Sequence, residues 1–321
     1  MKRLLLIVFM ILLGYTGFSQ ESSAPSDTSY WKKGGLASLT FTQVSLSKNW
    51  AAGGVNSWSV NGLFTAYADY RKNKVVWKNS IEMGFGLINQ EDPDPDADDR
   101  ITEKTDDRLN IITDFGYKLS EKLSWSSVLD FRTQFVEGED ADDNRISEFF
   151  SPAYLIIATG LKWNPNPSFS LSYSPVGGKF TFVMAQSLAD NGAYGVKPAE
   201  IDASGAIREG TGKNMRAELG SFVKASFEKE IVQNVTFDTR VELFYNYNFD
   251  GEANFNDVDV NWQNLLVMKV NDFLTVNWQT QLIYDRDVRF EVTETNPVGE
   301  ASGQFKSVFG VGLAYKFGQS R

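Results

Sequence analysis

The chain is a succession of rows in which apolar and polar residues alternate. Near the C-terminus Phe305, Ser307, Phe309, Val311, Leu313, Tyr315 and Phe317 fall on one face. Gln304, Lys306, Val308, Gly310, Gly312, Ala314 and Lys316 fall on the other. A period of two is the signature of a strand with two unlike faces, and rows this long exceed the usual ~5–6 residues of a strand. Val235 to Phe249 repeats the pattern, as do Leu109 to Leu119, Leu123 to Phe135 and Leu274 to Tyr284. Aromatic residues gather at row ends, as in Tyr245, Tyr247 and Phe249, where a membrane barrel carries its interfacial girdles.

The connections sort into short and long, and they alternate. Short ones lie at Tyr70–Lys74, Leu119–Lys122, Asn164–Pro167, Glu230–Asn234 and Val270–Asp272; long ones lie near 90–107, 138–148, 187–213, 250–257 and 288–303. Outer-membrane barrels have short periplasmic turns and long outer loops in this way. The expected fold is an all-β, transmembrane, antiparallel up-and-down barrel of about twelve strands. These are 36–46, 56–70, 75–89, 107–119, 123–137, 149–163, 168–186, 214–229, 234–249, 257–270, 273–287 and 304–317, with residues 47–55 as the first outer turn. Ser174-Pro175-Val176-Gly177-Gly178-Lys179 is read as a bulge within one strand, because a hairpin there would make the count odd and put the termini on opposite sides.

The N-terminus has the form of an export signal. Lys2 and Arg3 precede an apolar run, Leu4 to Leu13, too short to span ~30 Å of hydrocarbon as a helix. Gly17 and Ser19 suit cleavage before Gln20. The expected organisation is a signal peptide over 1–19, a periplasmic segment over 20–35 and the barrel over 36–321. Cleavage would remove two positive charges and take the net charge from −10 to −12.

Composition narrows the chemistry. The 321 residues include no Cys and no His. This excludes disulfides, Cys- or His-ligated metals and histidine-based nucleophilic catalysis. The acidic balance, 31 Lys and Arg against 41 Asp and Glu, argues against nucleic-acid binding. No catalytic residue is assigned, and the reading is non-enzymatic, with a His-independent lipid or glycan hydrolase as the alternative. The expected surroundings are outer-membrane lipid and lipopolysaccharide; the sequence names no partner protein.

The stretch Trp31-Lys32-Lys33-Gly34-Gly35, then Ser47-Lys48-Asn49-Trp50-Ala51-Ala52-Gly53-Gly54 and Asn56-Ser57-Trp58, resembles the opening of an uncharacterised Bacteroidetes outer-membrane β-barrel family, domain of unknown function 3078. Phe150-Ser151-Pro152-Ala153-Tyr154, Ser174-Pro175 through Gly178-Lys179 and Tyr194-Gly195-Val196 fit the same resemblance. It implies an outer-membrane barrel and brings no activity or site residues.

The face opposite the apolar rows lines the expected lumen. Its candidate residues are Lys78, Glu82, Asp114, Lys118, Asp130, Arg132, Arg216, Glu218, Lys224, Asp238, Arg240, Glu242, Lys269 and Asp285, with Glu228, Asp259 and Lys306 beside them. Acids and bases nearly balance, whereas a strongly ion-selective pore shows one sign in excess. Two roles fit: a narrow, weakly selective channel for small polar solutes, or a closed structural or surface-interaction barrel acting through its acidic and Gly-rich outer loops. No cofactor is implied. Asp92, Asp94, Asp96, Asp98 and Glu103 do have the spacing of a calcium loop, although Ala97 stands where such a loop has Gly; the alternative is a solvated acidic loop.

Overall fold

The computed structural model describes residues 30–47, 55–91, 100–139, 144–247, 258–271, 274–290 and 300–319. Twelve strands close an antiparallel barrel. In chain order they are β1 (Trp31–Val44), β2 (Ser57–Lys72), β3 (Val75–Glu91), β4 (Arg100–Lys118) and β5 (Leu123–Thr133), then β8 (Ala153–Asn166), β9 (Phe169–Phe182), β10 (Met215–Val232), β11 (Val235–Asn246), β12 (Val258–Lys269), β13 (Leu274–Tyr284) and β16 (Gln304–Gly318). Each pairs with the next, and β1 pairs with β16 to seal the wall, Gly35 opposite Phe317 and Leu39 opposite Leu313. Closure leaves no free edge. Two small hairpins, β6 (Gly138–Glu139) with β7 (Arg145–Ser147) and β14 (Arg289–Phe290) with β15 (Glu300–Ala301), stand in the long connections. No described helix is long and apolar enough to cross a membrane.

The outward rows are apolar and exposed. Leu39, Phe41, Phe64, Trp77, Ile111, Phe115, Trp125, Ile157, Trp163, Trp262, Trp278, Phe305, Phe309 and Leu313 all face away from the interior. A continuous apolar surface of this kind is unsuited to water and suited to lipid. Its tryptophans keep their polar edges satisfied: Trp77 donates to Thr113 at 2.7 Å, Trp262 to Thr239 at 3.0 Å and Trp278 to Ser307 at 3.1 Å, as an indole N–H in an apolar setting requires.

As expected, no hairpin splits the segment 168–186: Phe169–Phe182 form a single strand, β9, which ends four residues before the expected 186. Its pairing shifts register against β8 and β10 around Pro175 and Val176, the mark of a bulge. Gly160 and Gly220 sit where the shift crosses the neighbouring strands. A Cβ on Gly220 would strike the Tyr245 carbonyl and lie 2.8 Å from Phe244 Cζ.

Most boundaries shift by up to four residues, and two strand starts differ by more. β1 begins at Trp31, inside the stretch read as a periplasmic segment, because Trp31 to Gly35 pair with Tyr70 to Ala66. β4 begins at Arg100, seven residues before the expected start at 107, because Arg100 to Lys104 continue the ladder with β3. Alternation is weak in these charged residues, and the strand partner supplies what the pattern lacked.

Candidate functional site: a lumen crossed by ion pairs

Alternation and register assign one side chain in two to the interior. On β5 these are Ser124, Ser126, Val128, Asp130 and Arg132, all buried or half-buried. Opposite them on β4 stand Lys118, Gly116, Asp114, Ile112 and Asn110. Lys78 lies opposite Asp114 and Glu82 opposite Asn110. Lys224, Glu228 and Ser226 face Glu242, Asp238 and Arg240. Lys269 pairs in register with Thr275 near the short-turn end.

Several of these charges meet across the barrel. Arg132 on β5 clasps Asp130 with two bonds, at 2.9 and 2.7 Å, and reaches Glu242 on β11. Lys224 completes the group, 2.8 Å from Glu242 and 3.8 Å from Asp130. β5 and β11 are separated in the wall by β8, β9 and β10, so this is a chord through the interior. A second chord joins β4 to the far wall. Asp106 holds Lys306 of β16 at 2.8 Å, and Arg108 donates to Gln279 of β13 at 3.1 Å while pairing with Glu82 at 2.9 Å. A third cluster centres on Lys179, with Asp259 at 2.6 Å, Asp285 at 2.7 Å and Glu218 at 3.8 Å. Arg216 extends it to Glu218 at 2.9 Å and Asp287 at 2.7 Å. Lower in the barrel Asp114 pairs with Lys162 and accepts from Ser126 at 2.5 Å.

The chords divide the lumen. Beneath β8–β11 Ile156, Ala158, Phe222 and Phe244 form a buried apolar cluster, and only a small cavity of about 40 Å³, lined by Asp114, Lys162, Ser172 and Lys224 among others, is left on this side among the described residues. In the sector beneath β1–β3 the wall is glycine-rich. Gly84 leaves room for the Arg108 guanidinium, whose Nε a Cβ there would approach to 3.0 Å; Gly310 and Gly312 leave room for Thr40. At the second chord lies a polar lane, a cavity of about 280 Å³ lined by Lys104, Thr105, Asp106, Asp107, Arg108, Gln134, Gln281 and Lys306.

The connection from β9 to β10 caps part of the outer mouth. Helix α1 (Gln186–Asp190) and the turn Ala193–Gly195 enclose an apolar core of Val183, Ala185, Leu188, Ala189 and Val196. Ala185 N donates to Ser151 Oγ at 2.8 Å, and the Tyr194 hydroxyl to the Ile146 carbonyl at 2.6 Å. Burial pushes the Tyr194 hydroxyl up to about 12. Gly195 approaches Arg216 and Asp287 closely. Asp190 ties the base of the cap: its carboxylate accepts from Gly210 N and Gly212 N at 2.8 Å each and from Gln186 at 2.9 Å. The Gly210 amide first, then the Gln186 amide, hold this carboxyl below the usual carboxylate range. The tip 201–210 is exposed throughout and is organised by Asp202, which accepts from Ser204 N, Ser204 Oγ and Ala206 N.

The interior holds charges the sequence reading did not single out. Lys179 lies beyond the bulge, where the inward parity changes from Ser170, Ser172 and Ser174 to Gly177, Lys179 and Thr181. Asp106 falls in the connection expected near 90–107, and Arg108 is the second residue of the expected strand 107–119, off its apolar row. Lys162 alternates with Leu161 and Trp163, a signal that was available. Of the calcium pattern, Asp92, Asp94, Asp96 and Asp98 lie outside the described residues. Glu103 is a β4 residue in register with Ile88, so the loop as read, ending at Glu103, extends into the strand. Among the described residues no group of three or more acidic side chains is placed to hold a metal ion.

Residues 41–138 match the model of a family described as a protein of unknown function, DUF3078. This bears out the resemblance drawn from the opening motifs over that stretch. No curated protein matches the chain. Among solved structures, similarity is found to an outer-membrane channel from Pseudomonas putida F1, with 11% identity and a TM-score of 0.40 over 93% of this chain and 100% of that one. The NanC porin matches with 10% identity and a TM-score of 0.36 over 88% of this chain and 100% of its own. Outer membrane phospholipase A from Escherichia coli matches with 10% identity and a TM-score of 0.34, covering 92% and 94%.

Two outcomes follow from this geometry. Arg132→Met leaves Asp130 and Glu242 sharing Lys224 alone, and breaking a buried pair costs about 3–5 kcal/mol. The urea midpoint of the barrel refolded in lipid should fall accordingly, and an unchanged midpoint would show that the chord carries no load. Asp190 titrates in the opposite sense to a raised base. Its carboxyl lies below its unfolded value of 3.8, so its contribution to cap docking is complete above that value and is lost as pH falls through the lowered one. Amide exchange at Gly210 and Gly212 should therefore quicken, relative to the intrinsic rate, only in acid. Asp190→Asn should quicken it already at neutral pH.

Proposed function

We propose that the protein is an outer-membrane channel, narrow and weakly selective, that passes small polar solutes passively. The observation that carries this reading is the polar lane: a cavity of about 280 Å³ bounded by paired charges and amide side chains. Its lining sets Lys104, Arg108 and Lys306 against Asp106 and Asp107. With the signs so nearly matched, neither cations nor anions gain a decisive advantage. The apolar exterior supports a lipid setting, and the N-terminal signal pattern supports export to the outer membrane, where lipid and lipopolysaccharide would surround the barrel. The absence of histidine from the whole sequence supports a role without hydrolytic chemistry, since an activated Ser needs a base.

A second reading takes the barrel as closed and acting through its surface. The exposed tip of the cap, ordered around Asp202, favours it. Deleting 191–212 separates the two: a surface role is lost with the barrel intact, while a channel gains conductance.

Single-channel recording of the refolded mature protein in a planar bilayer tests the first reading. Small, reproducible steps are expected, with a reversal potential near zero across a salt gradient. A folded, inserted barrel that stays silent to ions and to uncharged solutes in liposome swelling would defeat it.

A further inference from the structure

The crossing ion pairs differ in how accessible they are, and that difference points to a selectivity. Arg132 and Glu242 are held from several sides, with side-chain exposures of 20% and 4%. Lys179 is enclosed by three carboxylates at 8% exposure. Lys306 is 38% exposed and pairs with Asp106 across the cavity that both line. This pair therefore crosses the open lane, and a solute travelling the lane must displace it.

We propose that the Lys306–Asp106 pair is an exchangeable latch that favours small zwitterions over uncharged solutes and over single ions. The proposal rests on the channel reading. Parting the pair exposes an ammonium and a carboxylate to a partly desolvated lumen, which is costly unless each finds a new partner. A lone cation takes Asp106 and strands Lys306; a lone anion takes Lys306 and leaves Asp106 only the more distant Arg108, at 3.5 Å. A neutral solute compensates neither charge. A small amino-acid-like zwitterion brings one group of each sign: its carboxylate takes the Lys306 ammonium and its ammonium takes the Asp106 carboxylate, so one ion pair becomes two. Charge-assisted hydrogen bonds of this kind are the stronger ones. Arg108 pairs with Glu82 and Gln279 and also lies 3.5 Å from Asp106, so the rest of the chord stays seated when Lys306 parts from Asp106. Gln281, in register with Lys306, gives an amide for the solute's remaining polar atoms.

Proteoliposome swelling at neutral pH tests this with glycine and its neutral isomer glycolamide, which match in mass and composition. The wild-type barrel should pass glycine several-fold faster. In the double variant Asp106→Asn with Lys306→Gln, close in shape and without charge, the ratio should fall to about that of an unselective pore. The reversed pair, Asp106→Lys with Lys306→Asp, should keep the preference, because a zwitterion can turn around; heat-modifiable migration reports that each variant is folded. A wild-type barrel that passes both isomers equally, or a neutral variant that retains the preference, overturns the latch while leaving the channel reading intact. A folded wild-type barrel that passes neither overturns the channel reading, and the latch with it.

Discussion

The arrangement depends on the need of a charge inside a closed barrel to find its opposite. Main-chain hydrogen bonds close the wall and say nothing about what fills it. In this protein the inner rows carry carboxylates and bases on strands that are not neighbours, and their pairing sets what remains open. Arg132 with Glu242 and Asp106 with Lys306 are chords rather than ladder contacts. Each brings distant parts of the wall to a fixed separation. Removing one partner leaves the other uncompensated, so the pairs constrain shape more than they add net stability.

The remaining features follow from those chords. The β8–β11 sector, cut off behind Arg132, is filled with Ile156, Ala158, Phe222 and Phe244, which pack as a core would. The cap over 183–214 contacts the mouth through Ser151, Ile146, Arg216 and Asp287. The polar lane lies at the Asp106–Lys306 chord, beside Gln134 and Gln281 rather than behind Phe222 and Phe244. The lane, the filled sector and the cap are thus one solution to placing many ionisable groups in a narrow interior.

Much of the fold was legible because lipid outside and polar matter inside impose a strict period of two. The C-terminal row was unambiguous, and the even strand count decided that Pro175 lies in a bulge rather than a turn. What the pattern did not reveal has physical causes. The bulge at Pro175 and Val176 switches the inward parity, so Lys179 could not be placed from spacing alone. The start of β4 is charged on both faces, so the residues from Arg100 to Asp106 read as loop, and only the ladder with β3 places them in the strand. The cap's path depends on contacts such as Asp190 with Gly210, which link residues twenty apart in the chain. Which inner charges meet across the lumen depends on barrel closure, which no local pattern encodes.

The central claim is that the open path runs along the β4, β13 and β16 side while the β8–β11 side is filled. The absence of native cysteine allows a direct measurement: reaction of single-cysteine variants with a small, water-soluble, membrane-impermeant thiol reagent during bilayer recording. Cysteine at Gln281 or Gln134 should react quickly and cut the current, whereas cysteine at Phe222 or Ala158 should react slowly and leave it unchanged. Fast reaction and block at Phe222 and Ala158, with none at Gln281, would contradict the account.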